Sequence, residues 1–390
     1  MNERLELNRL LDEAQTATGL DDLGADSWRE GAERVVADLQ GPAQLHDIGV
    51  EVAIGDLQGY LQNRLRIVDH RKQHPEVDVP ITRPLIVVGQ PRTGTTILFD
   101  LLAQDPGFRV PRSWEVDKPC PPPELSTYTT DPRIAEVQAQ FDTVDALIPG
   151  FSAFHEVGAE LAQECVRITG GDFRSMIFSI QYVLPDYNHW LLHEADLAPA
   201  YAWHRVYLQH LASRVPADQW LLKSPAHLWH LPALRAAYPD AVVIMTHRDP
   251  LKVISSISAL TSSLRQLTTE QTSVGLAAEQ YADDIAVGLD RAVVAHREQV
   301  FPQEQVVDLH FTEFVADPIG QIKRLYGEIG RELTPEVQQR MHDFLAEHPG
   351  DGGGGGTRYC FADTGLVEGE VRERTRDYVE EFGVELEPVR

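Results

Sequence analysis

Arg92, Lys223 and Arg248, each next to a hydroxyl or histidine side chain, are the residues whose types and settings suit an anion. Arg92 lies in Gly89-Gln90-Pro91-Arg92-Thr93-Gly94-Thr95-Thr96, which has the spacing of the phosphate loop G-x-x-x-x-G-K-[ST]. Gly89 and Gly94 let the backbone turn sharply and come close to a ligand. The first amides of a helix starting near Thr95 lack intrahelical acceptors and carry the positive end of its dipole. Arg92 adds a planar fork of donors, and Thr93, Thr95 and Thr96 add hydroxyls suited to phosphate or sulfate oxygens. Thr95 stands where a nucleotide triphosphatase places the lysine that reaches the terminal phosphates. That exchange argues against metal-dependent nucleotide hydrolysis, as does Thr246-His247-Arg248 where a strand-end carboxylate is needed.

The elements that position these residues follow from hydrophobic pattern. Leu85-Ile86-Val87-Val88, Leu221-Leu222, Ala241-Val242-Val243-Ile244-Met245 and Val306-Val307 read as strands separated by helical spans. Such alternation predicts an α/β fold: a doubly wound parallel sheet of P-loop type, with helices on both faces and an N-terminal helical extension. Arg92, Lys223 and Arg248 then fall at three strand ends facing one crevice. Residues 1–78 read as helices, with Ser27-Trp28-Arg29-Glu30 spaced as a capping box and Leu57, Leu61, Leu65 and Val68 on one face. The expected division is a helical extension over 1–78 and the α/β domain over 79–390. Residues 133–166 read as helical, with Glu156, Glu160 and Glu164 along one face. Five glycines, Gly352 to Gly356, suit a flexible linker or a ligand loop over 351–358, with Arg358 as its anion contact.

At 390 residues the chain can bury a full core, and its 43% hydrophobic and 24% charged residues are those of a soluble globular protein. The net charge of −26 repels a nucleic-acid backbone or an anionic membrane surface. With no long apolar run, membrane insertion is not expected, and a cytoplasmic setting is the default. Cys120, Cys165 and Cys360 are too scattered for a disulfide framework, and no zinc pattern is present. His189 and His193 stand four apart without the metalloprotease glutamate, so no metal site is expected.

On these residues the chain resembles the sulfotransferases that use 3′-phosphoadenosine 5′-phosphosulfate (PAPS), in their large bacterial, P-loop-like form. Their 5′-phosphosulfate loop has the form P-R-[ST]-G-[ST]-[ST], as in Pro91 to Thr96. Their 3′-phosphate site is a strand-end arginine with a serine eight residues on, as in Arg248 and Ser256. Similarity extends through Leu222 to Leu228, Thr246 to Pro250, Phe311 to Pro318, Arg358-Tyr359 and Gly365-Leu366. The resemblance implies in-line, metal-independent transfer of a sulfuryl group to a hydroxyl or amine of a small molecule. Arg92, Thr93, Gly94, Thr95, Thr96, Arg248, Ser256 and Arg358 would bind the donor, and Lys223 would stabilise charge on the bridging oxygen. Two departures stand out. Thr357 replaces the histidine that relatives often carry before the tail arginine, and three residues separate Lys223 from His227 where animal-type enzymes have one.

A general base must reach the acceptor proton. The resemblance offers two: Glu115, spaced from the loop like the glutamate of some bacterial relatives, and His227, placed somewhat like the animal-type histidine. A small-molecule kinase or nucleotide hydrolase, and a catalytically silent sulfotransferase-like binding protein, are the alternatives. Phe151, Phe154, Phe173, Phe178, Tyr182, Tyr187 and Trp190 offer an apolar acceptor lining, although most such side chains are core.

Overall fold

Five consecutive buried residues, Leu85–Gly89, form β1, the central strand of a parallel sheet, since burial on both faces replaces polar alternation with a continuous apolar run. The computed structural model describes residues 2–147, 158–348 and 359–389. It divides into two units. One comprises Met1–Ile81, Pro111–Ala217 and Thr261–Thr272; the other comprises Thr82–Val110, Asp218–Leu260 and Ser273–Arg390.

The second unit holds β1, β2 (Leu221–Lys223), β3 (Val242–His247) and β4 (Val306–His310), all parallel, in the order β2-β1-β3-β4. The chain leaves β1 toward β2 on one side and β3 toward β4 on the other. The topological switch point, where an open α/β sheet binds its ligand, is therefore between β1 and β3. Register pairs Gly89 with Thr246 at that point. Beyond β2 the chain makes a 3-10 turn, Pro225–His230, before the helix Leu231–Ala237. That helix has Pro232 in its first turn, where a proline's missing N–H costs nothing.

The first unit is helical in its main elements. Its N-terminal helices Leu7–Thr18, Trp28–Leu39 and Asp47–Gln73 agree with the sequence pattern, and Leu57, Leu61 and Leu65 are buried. Ser27, however, does not cap its helix; its hydroxyl donates to Asp172 Oδ2 at 2.6 Å. That carboxylate lies in a buried ionic cluster with Arg174 Nη1 at 3.0 Å and Arg64 Nη1 at 3.6 Å, where a hydroxyl donor offsets more desolvation than a cap would.

The continuous helix expected over 133–166 is not formed. Pro132–Leu147 is helical and Cys165–Thr169 is a separate short helix. Between them the backbone pairs with residues 111–114: Ser113 N–H donates to Leu161 O at 3.0 Å and Gln163 N–H to Pro111 O at 2.7 Å. That pairing removes Glu160 and Glu164 from a shared helical face; Glu156 lies outside the described residues.

Candidate active site

The loop after β1 is shaped by what its backbone cannot accommodate. A Cβ on Gly89 would lie 2.1 Å from Thr246 Oγ1, and its φ of +149° is costly for any other residue. Gly94, at φ +83°, caps the helix Thr95–Leu102 in the left-handed region. Arg92 also has positive φ, +66°, a strained setting from which its side chain reaches the helix that follows β3. Thr93 is buried: its hydroxyl donates to Gln90 O at 2.6 Å and lies 2.6 Å from Thr246 Oγ1. Its hydroxyl thus closes the loop.

Arg92 Nε donates to Ser256 Oγ at 3.0 Å, on the helix Pro250–Arg265. Arg248 Nη1 donates to the backbone carbonyl of Arg92 at 2.9 Å. Arg92, Arg248 and Ser256, separated by more than 150 residues of chain at the widest, thus meet at the switch point. Arg248 lies over Phe311, its guanidinium carbon 3.8 Å from the ring centroid. Its Nε and Nη2 donate to Glu387 Oε1 and Oε2 at 2.8 and 3.1 Å.

Lys223 ends β2, almost fully buried, with Nζ 3.3 Å from Thr96 Oγ1 and 5.6 Å from the Phe99 ring centroid. A lysine buried this deeply is held with little rotamer freedom, as a fixed charge beside the loop requires. His227 is buried in the turn that follows, and burial pushes its imidazole down to about 3. It is neutral at neutral pH and a weak base there.

His247, next to Arg248, joins two further elements. Its Nδ1 is 2.9 Å from Tyr378 Oη and its Nε2 2.8 Å from Asp308 Oδ1. Burial lowers its pKa, and the hydrogen bond to Asp308 raises it in part.

Glu115 belongs to the first unit, wholly buried in the short helix Ser113–Asp117. Its Oε2 accepts from Arg112 N–H at 2.9 Å and from Tyr128 Oη at 3.1 Å. The guanidinium of Arg112 is directed elsewhere, to the carbonyl of Glu160. The aromatic set resolves into core: Phe173 and Phe178 stack at 5.4 Å, Phe178 meets Tyr187 at 6.0 Å, and Tyr187 meets Trp190 at 5.7 Å. Phe151, Phe154 and Arg358 lie outside the described residues. Among the described residues no group of three His, Cys, Asp or Glu side chains is placed to hold a metal ion.

Two contributors escape sequence reading. Thr246 looks like one more apolar-strand residue but fills the space under Gly89. Glu387, in an acidic tail, carries no motif at all. Only the covariation of a carboxylate with Arg248 could have pointed to it.

The sulfotransferase family model matches residues 84–335, which include the loop, Lys223, Arg248 and Ser256. The chain belongs to the sulfotransferase family. It is thus an enzyme, and the transfer of a sulfuryl group to an acceptor is its reaction. Sulfotransferase STF9 from Mycobacterium avium is similar over 99% of both chains, with a TM-score of 0.89 and 29% identity. Sulfotransferase STF1 from Mycobacterium tuberculosis H37Rv is 30% identical with a TM-score of 0.83, over 95% of this chain and 98% of that one. The omega-hydroxy-beta-dihydromenaquinone-9 sulfotransferase Stf3 of Mycobacterium tuberculosis is 26% identical over 271 residues, 68% of this sulfotransferase and 67% of the relative. No helix among the described residues is long and apolar enough to cross a membrane.

Proposed function

We propose that this sulfotransferase takes its sulfuryl group from PAPS and transfers it, in line and without a metal, to a hydroxyl of a small-molecule acceptor in the cytoplasm. The observation that carries the donor reading is the meeting of Arg92, Arg248 and Ser256 at the β1/β3 switch point, beside an amide-lined loop. Two fixed cations and the helix N-terminus suit a ligand with phosphate groups at both ends of a ribose. The shape of the loop depends on Gly89 and Gly94, whose positive φ and lack of a Cβ let it pack against Thr246 and Phe311. The name of the relative Stf3 refers to an omega-hydroxy acceptor, which supports a hydroxyl as the nucleophile here.

In this reading, Arg92 and the first amides of the helix Thr95–Leu102 hold the 5′ end of the donor. Thr93 contributes its amide, while the hydroxyls of Thr95 and Thr96 contact the ligand. Arg248 and Ser256 take the 3′-phosphate, and Arg358 completes the grip. The acceptor oxygen forms its bond to sulfur as the bond from sulfur to the bridging oxygen breaks. The electron pair goes to that oxygen, where the Lys223 ammonium stabilises it. The acceptor proton passes to a general base, and Glu115 is the better candidate. Its carboxylate is held in place by two donors, whereas the His227 imidazole accepts a proton poorly.

Titration calorimetry with adenosine 3′,5′-bisphosphate tests the donor reading. Binding with and without a chelator, and mass-spectrometric detection of that product from PAPS with a hydroxyl acceptor, are expected. Failure of the protein to bind the bisphosphate would remove the reading.

A further inference from the structure

The C-terminal segment holds three consecutive residues at the end of β3. Tyr378 Oη is 2.9 Å from His247 Nδ1, and the Phe382 ring stacks on the same imidazole at 4.5 Å and 25°. Glu387 takes the Nε and Nη2 of Arg248. The Glu387 N–H donates to Asp249 Oδ2 at 2.8 Å, and Arg372 Nη1 lies 3.0 Å from both oxygens of Asp249. The tail is thereby fixed independently of the pair it makes with Arg248, and Val384 is buried just before it.

The charge pair is itself mostly buried, the Arg248 side chain 11% exposed and that of Glu387 17%. A side-on, bidentate carboxylate with an aromatic ring beneath removes nearly all freedom from a guanidinium. Of the five N–H donors of Arg248, Glu387 takes two and the Arg92 carbonyl one, which leaves one on Nη1 and one on Nη2. Those two N–H groups are the donors that Arg248 offers a phosphate among the described residues.

We propose that Glu387 is a positioning residue. By holding the side-on edge of Arg248, it orients the remaining N–H donors for the 3′-phosphate of the donor nucleotide and so sets the preference for a bisphosphorylated over a singly phosphorylated adenosine. The proposal rests on the donor reading above. It differs from a carboxylate that merely occupies the arginine until the ligand displaces it, because the two have opposite signs in binding. Without the positioning contact the 3′-phosphate is bound less well; without a competitor it is bound better.

The test is calorimetric affinity of the full chain for adenosine 3′,5′-bisphosphate and for adenosine 5′-monophosphate, in the wild type, Glu387→Gln and Glu387→Ala. The bisphosphate affinity should fall about 5- to 30-fold in Glu387→Ala and less in Glu387→Gln, which keeps one acceptor oxygen. Affinity for the 5′-monophosphate should stay within about twofold, a pattern that a general loss of structure does not give. An unchanged or increased bisphosphate preference, or equal loss of both ligands, overturns the proposal. A wild type that binds neither nucleotide, or does not prefer the bisphosphate, removes the donor reading instead.

Discussion

Arg248 Nη1 donates a hydrogen bond to the carbonyl oxygen of Arg92 at 2.9 Å, tying the loop after β1 to the loop after β3. The carbonyl, not the side chain, is the acceptor. Replacing the Arg92 side chain therefore leaves this tie in place.

Arg92→Ala should weaken adenosine 3′,5′-bisphosphate binding by about tenfold or more, the scale of one charge-assisted contact. Arg92→Gly should lose as much affinity, yet melt at or above Arg92→Ala, because φ of +66° costs alanine about 1 kcal/mol and glycine little. Calorimetry of binding and of unfolding separates the two effects. A variant that binds normally would show that this loop does not hold the ligand.

Lys223→Met keeps the packing against Phe99 and removes the charge. Single-turnover transfer should slow by about 10²- to 10³-fold, as when one electrostatic donor is lost, with bisphosphate affinity changed much less. Loss of affinity with an unaltered transfer rate would assign Lys223 to binding alone.

Glu115→Gln should reduce the single-turnover rate by about 10²-fold or more, and His227→Gln only severalfold. Since the His227 imidazole is pushed down to about 3, it adds no inflection to the rate profile between pH 5 and 8. A rate for Glu115→Gln near that of the wild type would remove the assignment.

His210 and His227 also couple folding to acid. Burial lowers each from 6.5 to about 3 in the folded chain. Below about 6.5 the unfolded chain takes up protons that the folded chain refuses, so stability falls as pH drops from 6.5 toward 3. Each histidine contributes on the order of 1.4 kcal/mol per pH unit within that window. Urea midpoints at pH 7.5 and 5.5 should differ in this direction, and His227→Gln should reduce the difference.

Gly89→Ala should cost about 3 kcal/mol or more, since its Cβ would lie 2.1 Å from Thr246 Oγ1 and 2.6 Å from the Thr246 carbonyl oxygen. A melting temperature within a degree of the wild type would contradict the register of β1 against β3.

The strands and the glycine loop could be read from sequence because each depends on local pattern: apolar runs, glycines at a turn, a helix start. The topological rule that ligands sit at strand ends then brought Arg92 and Arg248 into one crevice. What could not be read depends on partners distant along the chain. Ser27 has capping spacing, but a buried carboxylate at Asp172 claims its hydroxyl. Glu160 and Glu164 keep helical spacing, but residues 159–163 pair with 111–114 instead. Thr93 has the right type to contact a ligand, yet its hydroxyl closes the loop from inside. Glu387 is one acid among many until the tail is seen against Arg248.

The strand order also sets a timetable for synthesis. β1 pairs through Leu85 with Leu221 on one side and Val242 on the other, so neither neighbour exists when β1 leaves the ribosome. At roughly 5–20 residues per second, Leu85 waits roughly 8–30 s for Val242 to be made. Until Leu221 is made, Leu85-Ile86-Val87-Val88 is an uncharged apolar segment with neither partner strand, the kind that associates with other chains. Yield during expression should therefore depend on translation speed and chaperone supply more than the stability of the finished sheet suggests.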